Sequence, residues 1–223
     1  MLDQPWTAAD LVALDLEGTG SRDPHGEAIL EIAVVPLAEG RPDMGAAWDS
    51  TINPERWISP RPWISPGLAG DALAGAPTLD KVADTIAEKL TGKILVGHNV
   101  GVDWRLLHLR LPAIQPAGLL DTARLVRHLR PDVKRWNLAG QLDQYELTGR
   151  VDELVPGGRP HRALWDAVGC ALLLAELVSH LPGGPDTPLA ALTRVARVQL
   201  ADQDGGDGDQ LTLDLGPDRA EGT

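Results

Sequence analysis

The chain has 223 residues and a mass of 23.8 kDa, which corresponds to one sizeable domain with a tail. Its 43% hydrophobic and 23% charged residues exclude a disordered, collagen-like or disulfide-scaffold chain, and the single cysteine, Cys170, excludes an intrachain disulfide or a multi-cysteine zinc site. The net charge of −12 counts against a nucleic-acid partner only until its distribution is read: residues 201–223 hold seven acids against Arg219, half the total.

Leu11–Glu17 (LVALDLE) and Ile29–Ala38 (ILEIAVVPLA) are short, apolar and β-branched with turn residues between them, so they predict a hairpin of buried strands. A third strand is expected around Trp48–Ile52. Residues 53–77 carry Pro54, Pro60, Pro62, Pro66 and Pro77 with Trp57 and Trp63, which predicts an irregular loop lying over the domain. Thr78 then caps a helix to Leu90, because Leu79, Val82, Ile86 and Leu90 recur at helical spacing. KILVGHN reads as another buried strand and GLLD (118–121) as a short one. Helices are expected over Val102–Leu111, Thr122–Leu129, Leu138–Leu147, Arg162–Leu181 and Leu189–Leu200. This order predicts an α/β sandwich around a mixed sheet. The start, MLDQPWTAAD, has no basic and apolar regions of a secretory signal, and the most apolar stretch (163–178) is broken by Asp166 and Glu176, short of the roughly 18 residues a spanning helix needs. The expectation is a soluble, cytoplasmic protein.

Asp15 and Glu17 lie two apart on an apolar strand, so both side chains point to one face. Two buried carboxylates need a cation, although a lone D-x-E is also what a pair of turn-flanking acids looks like. Asp103 follows GHN at a strand-to-helix junction, where open α/β sheets place ligands and where an Asp also serves as a helix cap. Asp166 sits at the core-facing edge of an apolar helix, and His161 precedes it on a Gly/Pro loop. Together, four acids and one histidine suit hydrolytic phosphoryl transfer. Hard oxygen ligands favour Mg2+ or Mn2+, paired ions activate water and stabilise a leaving oxygen, and an imidazole is suited to take a proton near neutrality.

The order and context of these motifs resemble the DEDDh group of 3′-to-5′ exonucleases, which includes the proofreading epsilon subunit of DNA polymerase III, ribonuclease T and oligoribonuclease. The likeness runs from Leu11 to Leu181 and is carried by LDLEGTG, LVGHNVGVDWRLL and HRALWDA, with LLDTARLVRHLRP and WNLAGQLDQYEL between them. The resemblance implies a ribonuclease-H-like fold with a five-stranded mixed sheet. It implies that Asp15, Glu17, Asp103 and Asp166 hold two Mg2+ or Mn2+ ions, and that His161 is the general base for release of nucleoside monophosphates from 3′ ends. Two positions depart from the pattern: Gly18 stands where Thr usually follows the Glu, and Val102 where an aromatic usually precedes the Asp. Gly18, Thr19, His98 and Asn99 are the expected nucleic-acid contacts within the motifs. Residues 105–135 add seven basic side chains against Asp121 and Asp132, a local basic face or simply a solvated one. Arg124, Arg127 and Lys134 are its candidate phosphate contacts.

The expected organisation is an exonuclease domain (1–181), a linker with a short helix (182–200) and an acidic, disordered tail (201–223). Within the tail, QLTLDL (Gln210–Leu215) is similar to the bacterial sliding-clamp-binding motif, which makes Gln210, Leu211, Leu213 and Leu215 candidate partner contacts. DNA is the favoured substrate for that reason. The alternatives are an RNA-processing exonuclease of the oligoribonuclease or ribonuclease T type, and a non-catalytic module associated with a clamp or polymerase.

Overall fold

The computed structural model describes residues 3–20, 26–134 and 136–200, and its sheet grows outward from β1 (Leu11–Gly18). Successive residues of β1 enter two different cores. Leu11 and Ala13 join one apolar cluster, while Val12 and Leu14 join another on the opposite face, the period-two alternation of a strand covered on both sides. The antiparallel partner β2 (Ile29–Ala38) sets Asp15 opposite Ala33 and Glu17 opposite Glu31. On the other side of β1, β5 (Ile94–Gly97) and β6 (Gly118–Asp121) add in parallel, and β4 (Trp48–Thr51) pairs with β2.

Those are the five strands legible in the sequence, but the sheet has seven. The additions, β3 (Arg41–Pro42) on β2 and β7 (Arg197–Val198) on β6, are two residues long. A two-residue strand has no apolar alternation to read. β3 follows a turn in which Glu39 and Gly40 take positive φ, and β7 directly follows the helix Leu189–Ala196.

The helices are α1 (Leu79–Leu90), α2 (Val100–Arg110), α3 (Thr122–Leu129), α4 (Leu138–Gln144), α5 (Thr148–Leu154), α6 (Ala163–Ser179) and α7 (Leu189–Ala196). α1 and α2 cover one face of the sheet through Ile86, Leu90, Leu106 and Leu107. α6 crosses the other, with eleven of its 17 residues buried. The helix expected over Leu138–Leu147 ends at Gln144, where Glu146 turns the chain with a left-handed φ of 57°, and α5 beyond it is a helix the sequence reading did not include. Residues 182–200, read as a linker with a short helix, contribute Leu189, Leu192 and Ala196 to the same core as α6. Their start is bonded to the N-terminal segment, Trp6 N–H donating to the Thr187 carbonyl and Leu189 N–H to that of Gln4. Residues 53–77 have no helix or ladder strand and organise a small core of their own from Ile58, Ile64, Leu68 and Leu73 against Leu30 of β2. Among the described residues no helix is long and apolar enough to cross a membrane. The QLTLDL motif, with Gln210, Leu211, Leu213 and Leu215, lies outside the described residues.

Candidate active site

Asp15 and Glu17 continue the odd-numbered face of β1 that carries Leu11 and Ala13 toward α6, and α6 opens its first turn with Asp166. Strand alternation therefore aims the first two acids at the third. Asp103 arrives from the opposite layer: β5 ends at Gly97, Asn99 turns the chain in a left-handed conformation (φ 70°), and α2 begins at Val100. The turn is tight because Gly97 lies against Val100, where an added Cβ would come to 2.8 Å. It is held by Asp121 at the end of β6, whose Oδ1 accepts from the Asn99 N–H at 2.9 Å. Asp103 is 9% exposed, and its Oδ1 accepts from the Leu16 N–H at 3.2 Å, which pins the α2 carboxylate between the two acids of β1.

His161 is exposed on the loop before α6 and also takes a left-handed φ, 62°. Its N–H donates to Asp166 Oδ2 at 3.0 Å and its carbonyl accepts from the Ser65 hydroxyl. The adjacent Arg162 forms a bidentate pair with Glu31 on β2, Nε lying 2.9 Å from Oε2, and Glu31 Oε2 also accepts the Ala163 N–H at 3.0 Å. Thus Glu31, 3% exposed, anchors the start of α6 to the sheet. Glu31, Arg162, Ser65 and Asp121 escape the sequence reading; the one available signal is Glu31, an acid inside the apolar run ILEIAVV.

Ligating atoms of Glu17, His161 and Asp166 all lie within 4.8 Å of one another. Burial, and then the charges of Asp103, Asp166, Glu17 and Glu31, hold the Asp15 carboxyl well above its usual range. Burial together with Asp166, Glu31 and Asp103 pushes Glu17 up to about 8. Asp103 is raised to about 8 by burial and by Asp121 and Asp166, against the opposing Leu16 N–H bond. Asp166 is raised to about 7 by burial and Glu31, against the His161 N–H bond. At about 5 Å and an effective dielectric near 20, two unit charges repel by about 3 kcal/mol, whereas one hydrogen bond returns about 1 kcal/mol. Backbone donors therefore cannot hold the cluster fully ionised, and Arg162 is already committed to Glu31. An oxygen-rich donor set with this excess negative charge fits a hard divalent cation.

The expected nucleic-acid contacts separate into two groups. Thr19 stands beside the carboxylates, its hydroxyl accepting from Ala28 N–H at 3.0 Å, and Gly18 sits at a break in register between β1 and β2. A Cβ at Gly18 would come 2.9 Å from Leu106 Cδ2, so glycine replaces the customary Thr where α2 packs close. His98 differs from its expectation. Its Nδ1 is 2.9 Å from the Thr122 hydroxyl and its Nε2 bonds the Trp136 carbonyl, so both ring nitrogens are engaged inside the protein. Arg124 donates to the Arg197 carbonyl at 3.2 Å, Arg127 lies 4.4 Å over the Trp136 ring, and Lys134 is exposed. The basic run is therefore partly used in packing. Trp165 is 1% exposed with Nε1 donating to Asp152, and Trp104 stacks on His108 at 5.0 Å, so both pack rather than face the site.

The profile of the exonuclease family RNase_T matches residues 12–174, spanning every acid of this cluster. The chain belongs to this exonuclease family. It is 28% identical over 185 residues to the DNA polymerase III subunit epsilon of Escherichia coli (strain K12), covering 78% of this chain and 71% of that protein. It is 25% identical over 195 residues to the 3′-5′ exonuclease DinG of Bacillus subtilis (strain 168), covering 86% of this chain but 20% of that protein. A DNA polymerase III subunit epsilon-like protein of Rhodobacter capsulatus is 27% identical, with 28% of its length covered. This chain thus spans less than a third of those last two relatives. In three dimensions it resembles exonuclease X, solved in complex with 5′-overhanging duplex DNA, with a TM-score of 0.63, 25% identity, and coverage of 82% of this chain and 99% of that one. Exonuclease I, at 16% identity and a TM-score of 0.56, shares the ribonuclease-H-like fold of this exonuclease domain.

Proposed function

We propose that this exonuclease domain removes nucleoside monophosphates from the 3′ end of DNA, with Asp15, Glu17, Asp103 and Asp166 holding two Mg2+ or Mn2+ ions and His161 acting as general base. The observation that carries the reading is the convergence of those four carboxylates from β1, α2 and α6, three of them pushed up to about 7 or 8. Such a cluster is a standing demand for divalent cations at neutral pH. When bound, the ions supply an activated water and charge stabilisation for the leaving oxygen.

The chain's own residues do the rest. Asp103 and the β1 acids are set by the sheet and the Asn99 turn, so the binding geometry exists before substrate arrives. The ring of His161, next to Glu17 and Asp166, takes the proton from the attacking water while its backbone is held by Asp166 and Ser65. Thr19 and the backbone at Gly18 border the terminal nucleotide. DNA is favoured over RNA by the relationship to the polymerase III epsilon subunit and by QLTLDL, which we propose binds a sliding clamp through Gln210, Leu211, Leu213 and Leu215. Such tethering raises the effective concentration of the domain at clamp-bearing DNA.

The test is incubation with 3′-labelled and 5′-labelled single-stranded DNA and RNA, with Mg2+, Mn2+ or EDTA, and with Asp166→Ala in parallel. Metal-dependent release of the 3′ label as mononucleotide, lost in the variant and faster on DNA, is expected. Equal turnover by Asp166→Ala would remove the mechanism, and preference for RNA would assign the substrate to the alternative class. For the clamp, a pull-down comparing the intact chain with a Gln210→Ala/Leu213→Ala variant is expected to show loss of retention; equal retention removes that partner.

A further inference from the structure

Arg162 lies between two groups of the proposed centre, one residue after His161 and four before Asp166, and the catalytic reading gives its charge no task. A guanidinium stays protonated at every pH a folded protein meets. Set beside buried carboxylates it is their natural counter-ion, and it would neutralise them without any metal. In this fold it is instead gripped by Glu31, its Nε lying 3.1 Å from Oε1 and 2.9 Å from Oε2 while Nη2 reaches Oε1 as well. The Glu31 side chain is 4% exposed and that of Arg162 33%. Buried ion pairs seldom add net stability, so this pair calls for a reason other than holding α6. The Ala163 N–H bond to Glu31 Oε2 already ties the start of that helix to the sheet without a guanidinium.

The β1–β2 register sets Glu31 directly opposite Glu17. Facing residues of an antiparallel pair share a face, with Cβ atoms about 4.5 to 5.5 Å apart. The guanidinium is therefore a single cross-strand step from a proposed metal ligand. β4 brings a further acid to the same face, Asp49 opposite Ala33. Arg162 is held above its ordinary range first by its bond to Glu31 and then, against burial, by the charges of Glu31, Glu17 and Asp49. Its own charge works against the upward shift that burial and the neighbouring acids impose on Glu17. Ionised, Asp15, Glu17, Asp103 and Asp166 carry four negative charges, which two divalent ions balance, and the Arg162–Glu31 pair adds nothing. Without the Glu31 charge, the guanidinium would cut that demand to three.

We propose that Glu31 is a positioning residue that sequesters the Arg162 guanidinium, keeps it from serving as an internal counter-ion for Glu17, and so reserves the carboxylate cluster for metal. The proposal rests on the two-ion reading and adds how the chain protects that site from its own cation. A simple brace at the start of α6 makes the opposite prediction for variants. Removing either half of a brace loosens the site, whereas removing Arg162 takes away the competitor that Glu31 restrains.

The experiment is isothermal titration of the full chain with Mn2+ and with Mg2+, in parallel with melting curves in EDTA. It compares wild type with Glu31→Gln, Arg162→Gln and the Glu31→Gln/Arg162→Gln double variant. Glu31→Gln is expected to weaken ion binding about 10- to 100-fold, the usual cost of a change behind a metal ligand. The double variant should return to within about threefold of wild type, because the restraint and the charge it restrained are both gone. Arg162→Gln should bind the ions at least as tightly as wild type. Glu31→Gln with wild-type affinity, a double variant as weak as Glu31→Gln, or weakened binding in Arg162→Gln would overturn the proposal. Should Glu31→Gln fail to fold, its melting curve shows it and Arg162→Gln alone decides. A wild-type chain that binds neither ion removes the metal reading and this inference with it, while wild-type binding without rescue overturns the inference alone.

Discussion

Asp15, Glu17 and Asp103 stand on regular elements with filled cores around them, whereas His161 stands on an exposed loop held by a few local bonds. The β1 acids cannot move without breaking their ladder to β2, and β5 pins the same strand just before them, at Leu11–Ala13. His161 depends on a left-handed φ of 62°, one backbone bond to Asp166 and one from Ser65. On the proposed mechanism, the difference separates two tasks. Groups that must share cations despite mutual repulsion need a rigid frame, while a group that carries a proton in and out needs access to water. Changes on the frame should therefore abolish activity, and changes around the loop should grade it.

The largest effect is expected at the frame. Asp103→Asn keeps the shape but removes a ligand charge, and should lower kcat by at least about a thousandfold, equivalent to about 4 kcal/mol of transition-state stabilisation. Single-turnover kinetics with a melting curve on the same sample check it. His161→Ala should cost about 10²-fold in kcat, the lower end of the usual contribution of a general base, and leave KM nearly unchanged. A loss as complete as that of Asp103→Asn would place His161 on the frame instead and break the distinction.

The third expectation concerns pH. Because folding raises Glu17 and Asp103 to about 8 and Asp166 to about 7, the metal-free native state binds more protons than the unfolded chain between roughly pH 4 and 8. The stability these groups contribute is fully present below the unfolded carboxylate range and is lost as pH rises through 7 to 8. Thermal melts in EDTA should fall across that interval, and Mg2+ or Mn2+ should raise Tm more at pH 8 than at pH 5. A Tm in EDTA that rises steadily from pH 5 to 8 would contradict the charge crowding on which the metal reading depends. The smallest effect is expected for Ser65→Ala. Losing one hydroxyl bond to the His161 carbonyl is worth about 1 kcal/mol, or roughly fivefold in kcat, with the fold intact.

Much of this molecule is legible one segment at a time. The alternation in LVALDLE places Asp15 and Glu17 on one face, and the run KILVGHNVGVD places Asp103 just past a strand end, because both are consequences of local periodicity. The three motifs in order also identify the exonuclease family, which the match over residues 12–174 shows. Where the sequence is silent, the missing information is contact between distant segments. Glu31 looks like a stray acid in an apolar strand until Arg162, 131 residues later, meets it. His98 looks like a ligand contact until Thr122 and Trp136 close on its ring.

Sequence alone thus determined the five longer strands, most of the helices and the family to which the chain belongs, and it nominated four acids and one histidine as a set. The tertiary structure decided which polar side chains are committed to the protein and which face outward. It turned a proline-rich loop into a support for His161 and left Trp63 exposed beside Thr19. Periodicity is written into neighbouring residues, whereas burial and hydrogen-bond partners depend on which surfaces the folded chain brings together.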